Sequence, residues 1–202
     1  MLREQSALSP ELREQTNAIA RSAQSLNQML TELFDLAKLE AREARPAEEP
    51  FSLEELGEEI VSLYAQKGKE AGVEVELRSP GALPIVRGDI VMIGRVLSNL
   101  VENALRYTPR GGRVSIELAP CETGVTVSVT DTGIGIREKD LLNVLNRSYQ
   151  ADDSDRAVAR GLSGLGLAIV RRIVEAHNSK IQIESIEGQG TTFRFVMPLS
   201  VG

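Results

Sequence analysis

The sequence predicts an α+β protein, a two-layer α/β sandwich with a mixed sheet, preceded by a long N-terminal bundle or coiled-coil helix. Leu12, Ile19, Leu26 and Leu33 recur at heptad spacing, the mark of a helical seam. "VEVEL", "RVSIELAP", "GVTVSVTD" and "TTFRFVMPL" alternate or bunch their apolar residues as strands do. Amphipathic helices are interspersed with these strands, which places helices and hairpins in one packed unit.

The first element spans residues 9 to 43. Ser9-Pro10 supplies an N-cap followed by proline in the first turn. Ala23, Leu30 and Ala37 fill positions beside the heptad series, and Met29, Leu36 and Leu39 widen the apolar face beyond a two-stranded stripe. "AREARPAEEP" carries prolines and mixed charge and reads as a linker. A second unit starts at Phe51. "SLEELGEEIVSLYAQKGKEAG" is an amphipathic helix stopped at Gly72, and "VEVEL" is a strand. "GDIVMIGRVLSNLVENALRYT" is a helix. Two strands follow, turning at Glu122–Gly124, and then the glycine turn "DTGIGI". Residues 137 to 163 lack periodicity. "SGLGLAIVRRIVEAH" is a helix entered through glycines, and "KIQIES" and "TTFRFVMPL" close the unit around "EGQG". This gives a division into 1–45 and 46–202.

Composition narrows the function. The chain has 202 residues, 42% hydrophobic and 26% charged, as a soluble globular protein does. No apolar run reaches the roughly 18 residues of a membrane span, and the N-terminus has no signal-peptide core. A single cysteine, Cys121, and a single histidine, His177, exclude an internal disulfide and any cysteine-based or multi-histidine metal site. A net charge of -6 argues against a nucleic-acid partner.

Asn99 and Asn103 lie one helical turn apart in "VLSNLVENALRYTP", on one face of a helix otherwise rich in aliphatic residues. Asparagine is a poor helix-interior residue, so two on one face call for an explanation. Alone, the pair reads as a solvated or capping feature, and Asp131 as a strand-end turn residue. Neither a P-loop nor a dinucleotide fingerprint is present. Instead Gly133-Ile134-Gly135 and Gly164-Leu165-Gly166 flank the aperiodic segment, and the second pair opens a helix whose free amides suit phosphate.

Taken together and in order, "NLVENALRYT" at 99–108, "DTGIGI" at 131–136 and "SGLGLAIV" at 163–170 resemble the N, G1 and G2 boxes of the ATP-binding domain of sensor histidine kinases. That domain has the Bergerat fold, shared with Hsp90-type chaperones, type II topoisomerases and MutL. The resemblance covers nearly the whole chain, since "SLNQMLTELFDLAKLEA" is similar to the second helix of the dimerisation and phosphotransfer hairpin.

The resemblance implies a role for each matching residue. Asn103 would give its amide oxygen to Mg²⁺, and Asn99 would support the phosphate side. Arg106 would pair with phosphate, and Tyr107 would lie along the adenine or at the pocket edge. Asp131 would accept from the adenine amine. Gly133 and Gly135, with Ile136 in the same turn, would line the base. Gly164, Leu165, Gly166 and Leu167 would cap the phosphates and anchor a lid at 137–163, and Arg147 would reach phosphate from that lid; on the plain reading Arg147, Arg156 and Arg160 are solvated lid charges.

The resemblance further implies Mg-ATP as donor, a response regulator as final acceptor and an upstream phosphoacceptor hairpin. It also implies homodimerisation through the N-terminal helix, and the cytoplasmic part of a membrane-bound sensor. Departures qualify it. The family's "H-E-x-R-x-P" acceptor box is absent, so the chain alone is expected not to autophosphorylate, and it reads as a fragment of a longer sensor or a protein that has lost its acceptor. "LNRSYQ" stands where relatives have an aromatic F box, keeping only Arg147 and Tyr149. "HNSK" replaces "HGGK", so Asn178 takes the left-handed turn position and His177 reads as a structural helix-end residue. Asn99 stands where hydrolysing relatives keep a general-base Glu, which an amide cannot replace. Two alternatives stay open: a catalytically degenerate ATP-binding regulatory module, and a serine kinase or ATPase of the same superfamily.

Overall fold

The computed structural model describes residues 46–141 and 166–200, with individual helical positions between Leu12 and Leu30. Those N-terminal positions are exposed, Leu12, Ile19, Leu26 and Leu30 among them. The expected bundle partner, most of the 9–43 helix, Arg147, Tyr149, Arg156, Arg160, Gly164 and Leu165 lie outside the described residues.

The elements run β1 (Glu49–Phe51), α1 (Leu53–Ala71), β2 (Glu74–Arg78), β3 (Val86–Gly88), α2 (Ile90–Tyr107), β4 (Arg113–Cys121), β5 (Gly124–Asp131), α3 (Glu138–Leu141), α4 (Gly166–Ala176), β6 (Gln182–Ile186) and β7 (Gly190–Pro198). The sheet order is β2-β4-β5-β7-β6. β2 pairs with β4 in parallel and the remaining neighbours are antiparallel, so the mixed sheet expected from the sequence is present.

Local chemistry sets the helix ends. Ser52 caps α1 by accepting from the Glu55 amide, and Gly72 ends it. Asp89 caps α2 through the Met92 amide. Alternation in the strands then turns Val114, Ile116, Leu118, Val125, Val127, Val129, Phe193, Phe195 and Met197 toward the helices, where they are buried. α2 meets them with Ile93, Val96, Leu97, Leu100 and Val101, and α4 with Ile169, Val170, Ile173 and Val174. Each fully buried Leu or Ile contributes about 1.5–3 kcal/mol. The opposite face of the sheet carries Glu76, Glu117 and Arg78, where Arg78 pairs with both carboxylates.

The sequence did not reveal the ribbon of β1 and β3. These strands pair antiparallel, Glu49 with Gly88 and Phe51 with Val86, and Val86 bridges to Leu199 beyond β7. Elements of three residues are too short to show a period. The ribbon carries the chain from Ala47 alongside the start of α2.

Candidate functional site

α2 presents Asn99, Asn103 and Arg106 on one side, all half-buried. The two asparagines are held differently. Asn99 donates its Nδ2 to the Arg95 carbonyl at 3.0 Å, the back-bond available to a helix-interior amide. Its Oδ1 faces the first residue of α4, where a Cβ on Gly166 would lie 2.9 Å from that oxygen. Glycine at Gly166 therefore lets the α4 N-terminus close onto Asn99. The Asn103 side chain makes no hydrogen bond among the described residues and is half-buried, so its amide stands ready for another partner. Leu167 follows Gly166 on α4 and packs against the core cluster.

The carboxylate next to Asn103 is engaged elsewhere. Glu102 pairs with Lys67 of α1, whose ammonium also lies 5.7 Å from the Tyr64 ring centroid. Burial, with the nearby Glu102 charge, pushes the Tyr64 hydroxyl pKa up.

Asp131 ends β5 with its side chain buried. Its Oδ1 accepts from the Gly133 amide at 2.8 Å, an Asx turn that starts the glycine loop. Burial raises the Asp131 pKa above the usual carboxylate value, against the opposing effect of the Gly133 and Thr191 amides. The loop is tied to α2, because the Ile134 amide donates to the Tyr107 carbonyl at 3.2 Å. Tyr107 itself keeps its ring partly exposed at the helix end.

A second brace comes from the β6–β7 hairpin. Gly135 has φ of 67°, and a Cβ there would collide with the Ile186 carbonyl, so only glycine fits. The Gly188 amide donates to the Ile134 carbonyl at 2.8 Å. Ser185 is the hub: its Oγ accepts from the Ile136 amide at 2.8 Å, donates to the Gly190 carbonyl at 2.9 Å and pairs with Thr191 Oγ1 at 2.9 Å. Neither Ser185 nor Thr191 stands out in the sequence: both lie in "SIEGQGT", which reads as the turn of a closing hairpin.

The structure thus brings Tyr107, Asp131, Gly133, Gly135 and Ile136 into one loop cluster and sets Asn99 against Gly166. Of the proposed lid, Arg137–Leu141 is described; Arg137 pairs with the buried Asp140 at 2.7 Å. Asn178 has φ of 56°, the left-handed conformation expected of it.

Residues 88–201 match the family described as "Histidine kinase-, DNA gyrase B-, and HSP90-like ATPase". The chain belongs to this ATPase family. Its relatives within the family include sensor kinases. The sensor-like histidine kinase SenX3 of Mycobacterium tuberculosis is 35% identical over 176 residues, covering 87% of this chain and 42% of SenX3. Full-length ShkA in complex with AMPPNP superposes with a TM-score of 0.82 at 25% identity, over 98% of this chain and 42% of that one. The histidine kinase ThkA, solved in complex with response regulator protein TrrA, superposes with a TM-score of 0.75 at 26% identity over 98% of this chain and 54% of that one. The chain therefore spans about half the length of these relatives or less. The match to the ATPase family starts at Gly88, beside the cap of α2, and takes in every loop-cluster residue described above. No helix among the described residues is long and apolar enough to cross a membrane.

Proposed function

We propose that this chain is the ATP-binding catalytic region of a two-component sensor histidine kinase, passing the γ-phosphoryl group of ATP to a histidine on a phosphoacceptor hairpin and from there to a response regulator. In this reading residues 46–202 form the catalytic unit, with a lid at 137–163. Residues 1–45 supply one dimerisation helix, and two copies pair through it. ATP as donor puts the region on the cytoplasmic side.

Asp131 receives the adenine amine, its carboxylate held in place by the Gly133 amide. Gly133, Gly135 and Ile136 line the base, and Tyr107 borders it. Gly164, Leu165, Gly166 and Leu167 set the α4 N-terminus toward the phosphates. Arg106, and Arg147 from the lid, supply positive charge there.

The donor set fits Mg²⁺. Among the described residues no group of three His, Cys, Asp or Glu side chains could hold a metal, so an all-protein cage is absent there. Mg²⁺ is commonly held by one or two protein oxygens plus substrate phosphates and water, and the uncommitted Asn103 amide oxygen meets that need. Bound there, the ion would neutralise phosphate charge during transfer. The protein's own contribution is then positioning and charge, since phosphoryl transfer asks for little covalent chemistry.

The observation that carries the choice of acceptor is the state of α2. Asn99 is a neutral amide whose Nδ2 is tied to the Arg95 carbonyl, and Glu102 is paired with Lys67, so neither is a base for activating water. A neutral imidazole is already a nucleophile and needs no such base.

The test supplies γ-radiolabelled ATP, the chain and a separate hairpin bearing an acceptor histidine. Label on the hairpin, then on a response regulator, is expected. Nucleotide binding without transfer would establish the regulatory-module alternative instead, and steady phosphate release the ATPase.

A further inference from the structure

His177 takes no part in the chemistry above, yet it is 3% exposed and makes two hydrogen bonds. Its Nδ1 lies 2.8 Å from the Ile173 carbonyl, which can only accept, so Nδ1 carries the proton. Its Nε2 then accepts from the Asp89 amide at 3.0 Å. One imidazole tautomer thus joins the last turn of α4 to the N-cap of α2.

Asp89 is committed at each of its other polar side-chain atoms. Oδ1 accepts from the Met92 amide at 3.0 Å and starts α2. Oδ2 accepts from the Ala47 amide at 2.9 Å, on the segment that brings the chain into the fold. Alongside, Glu48 pairs with Arg87 at 3.4 Å, and β1 lies against β3, which leads directly into Asp89. The entering segment, α2 and the end of α4 therefore meet at one residue.

The other ends of these helices carry the site. Asn99 lies ten residues beyond Asp89, about 15 Å along a rigid helix. There α4 begins at Gly166, against the Asn99 oxygen. A side chain that fixes the two helices at their far ends fixes their register at the pocket.

We propose that His177 is a positioning residue for the nucleotide pocket, acting through Asp89, and that Asp89 couples the entering segment at Ala47 to that pocket. Movement of the entering segment pulls on the cap of α2 and shifts Asn99 and Asn103 against α4. This rests on the nucleotide reading above.

The experiment uses the full chain, ¹⁵N-labelled so that the side-chain amides of Asn99 and Asn103 are observed, with Mg-AMPPNP affinity measured in parallel. His177→Phe keeps the buried ring and removes both hydrogen bonds. His177→Gln restores an acceptor at the Nε2 position. Asp89→Ser keeps a cap on α2 but is too short to hold Ala47 as well. The expected result is that His177→Phe and Asp89→Ser, both folded by circular dichroism, move the two Asn resonances and weaken binding about three- to tenfold. His177→Gln brings both readouts back toward the parent. Unmoved Asn resonances in a folded His177→Phe, or no difference between Phe and Gln, overturn the proposal. Should His177→Phe not fold, Asp89→Ser decides on the same readouts. If the parent chain binds no nucleotide, the pocket reading fails, whereas the Asn resonances still judge the coupling by themselves.

Discussion

At one end of α2, Asp89 commits both carboxylate oxygens and its backbone amide to partners inside the fold. Toward the other end, the Asn103 side chain makes no hydrogen bond among the described residues, and Asp131 is a buried carboxylate whose neighbours are amides rather than a cation. The same helix, packed on the same core, is saturated where it is anchored and open where the loops converge. Asp89 and Asn103 are both half-buried, so the contrast lies in their partners and not in their burial. The loop cluster repeats it on a smaller scale: backbone groups of Ile134, Ile136 and Gly188 are paired, while the Tyr107 and Ile134 side chains stay exposed.

The contrast can be broken most severely at Asp131. Asp131→Asn removes the anionic acceptor and should weaken ATP binding on the order of a hundredfold, as loss of a charge-assisted bond implies; fluorescent nucleotide titration measures it. The carboxylate also gives opposite pH trends. Its folded-state pKa is raised by burial, so the folded state takes up the proton more readily than the unfolded chain. Ionised Asp131 therefore costs stability above the raised value, and the fold gains stability as pH falls from there toward the ordinary carboxylate range. Nucleotide affinity falls over the same window, because the protonated group loses acceptor strength. Melting temperature and affinity followed against pH should show that divergence in the parent and lose it in Asp131→Asn.

A smaller effect is expected one layer behind the loop. Ser185→Ala removes the hub that holds the Ile136 amide, and nucleotide affinity should drop about tenfold, with Ser185→Thr recovering part of it. Equilibrium dialysis of both variants provides the comparison. The smallest effect is expected at Glu102. Its carboxylate belongs to an exposed pair with Lys67, so Glu102→Gln should leave affinity within about twofold and change stability by about 0.2–1 kcal/mol. A large loss of ATP turnover in Glu102→Gln would instead make that carboxylate a working base and favour hydrolysis.

The order of elements in the main sheet was legible because its strands alternate and its helices are long enough to show a period. Gly72 as a stop was an equally local signal, while the Asp89 cap of α2 shows only in the structure. The β1–β3 ribbon was not legible, since three residues containing Pro50 carry no pattern and pairing comes from chain segments far apart. The candidate site divides in the same way. Asn99, Asn103, Asp131 and the glycines stand in short motifs, whereas Ser185 and Thr191 matter only because a distant hairpin folds back on the loop. His177 stands at the end of α4, where the sequence puts it, but its partner Asp89 lies 88 residues away and no spacing names it.

The most direct measurement is calorimetric titration of AMPPNP into the parent chain and Asn103→Ala, each with and without Mg²⁺. The parent should bind one nucleotide, markedly more tightly with the ion. Asn103→Ala should lose that ion-dependent gain while binding the metal-free nucleotide as the parent does. Equal Mg²⁺ enhancement in the two proteins would contradict the assignment of Asn103 as the metal-side wall of the pocket.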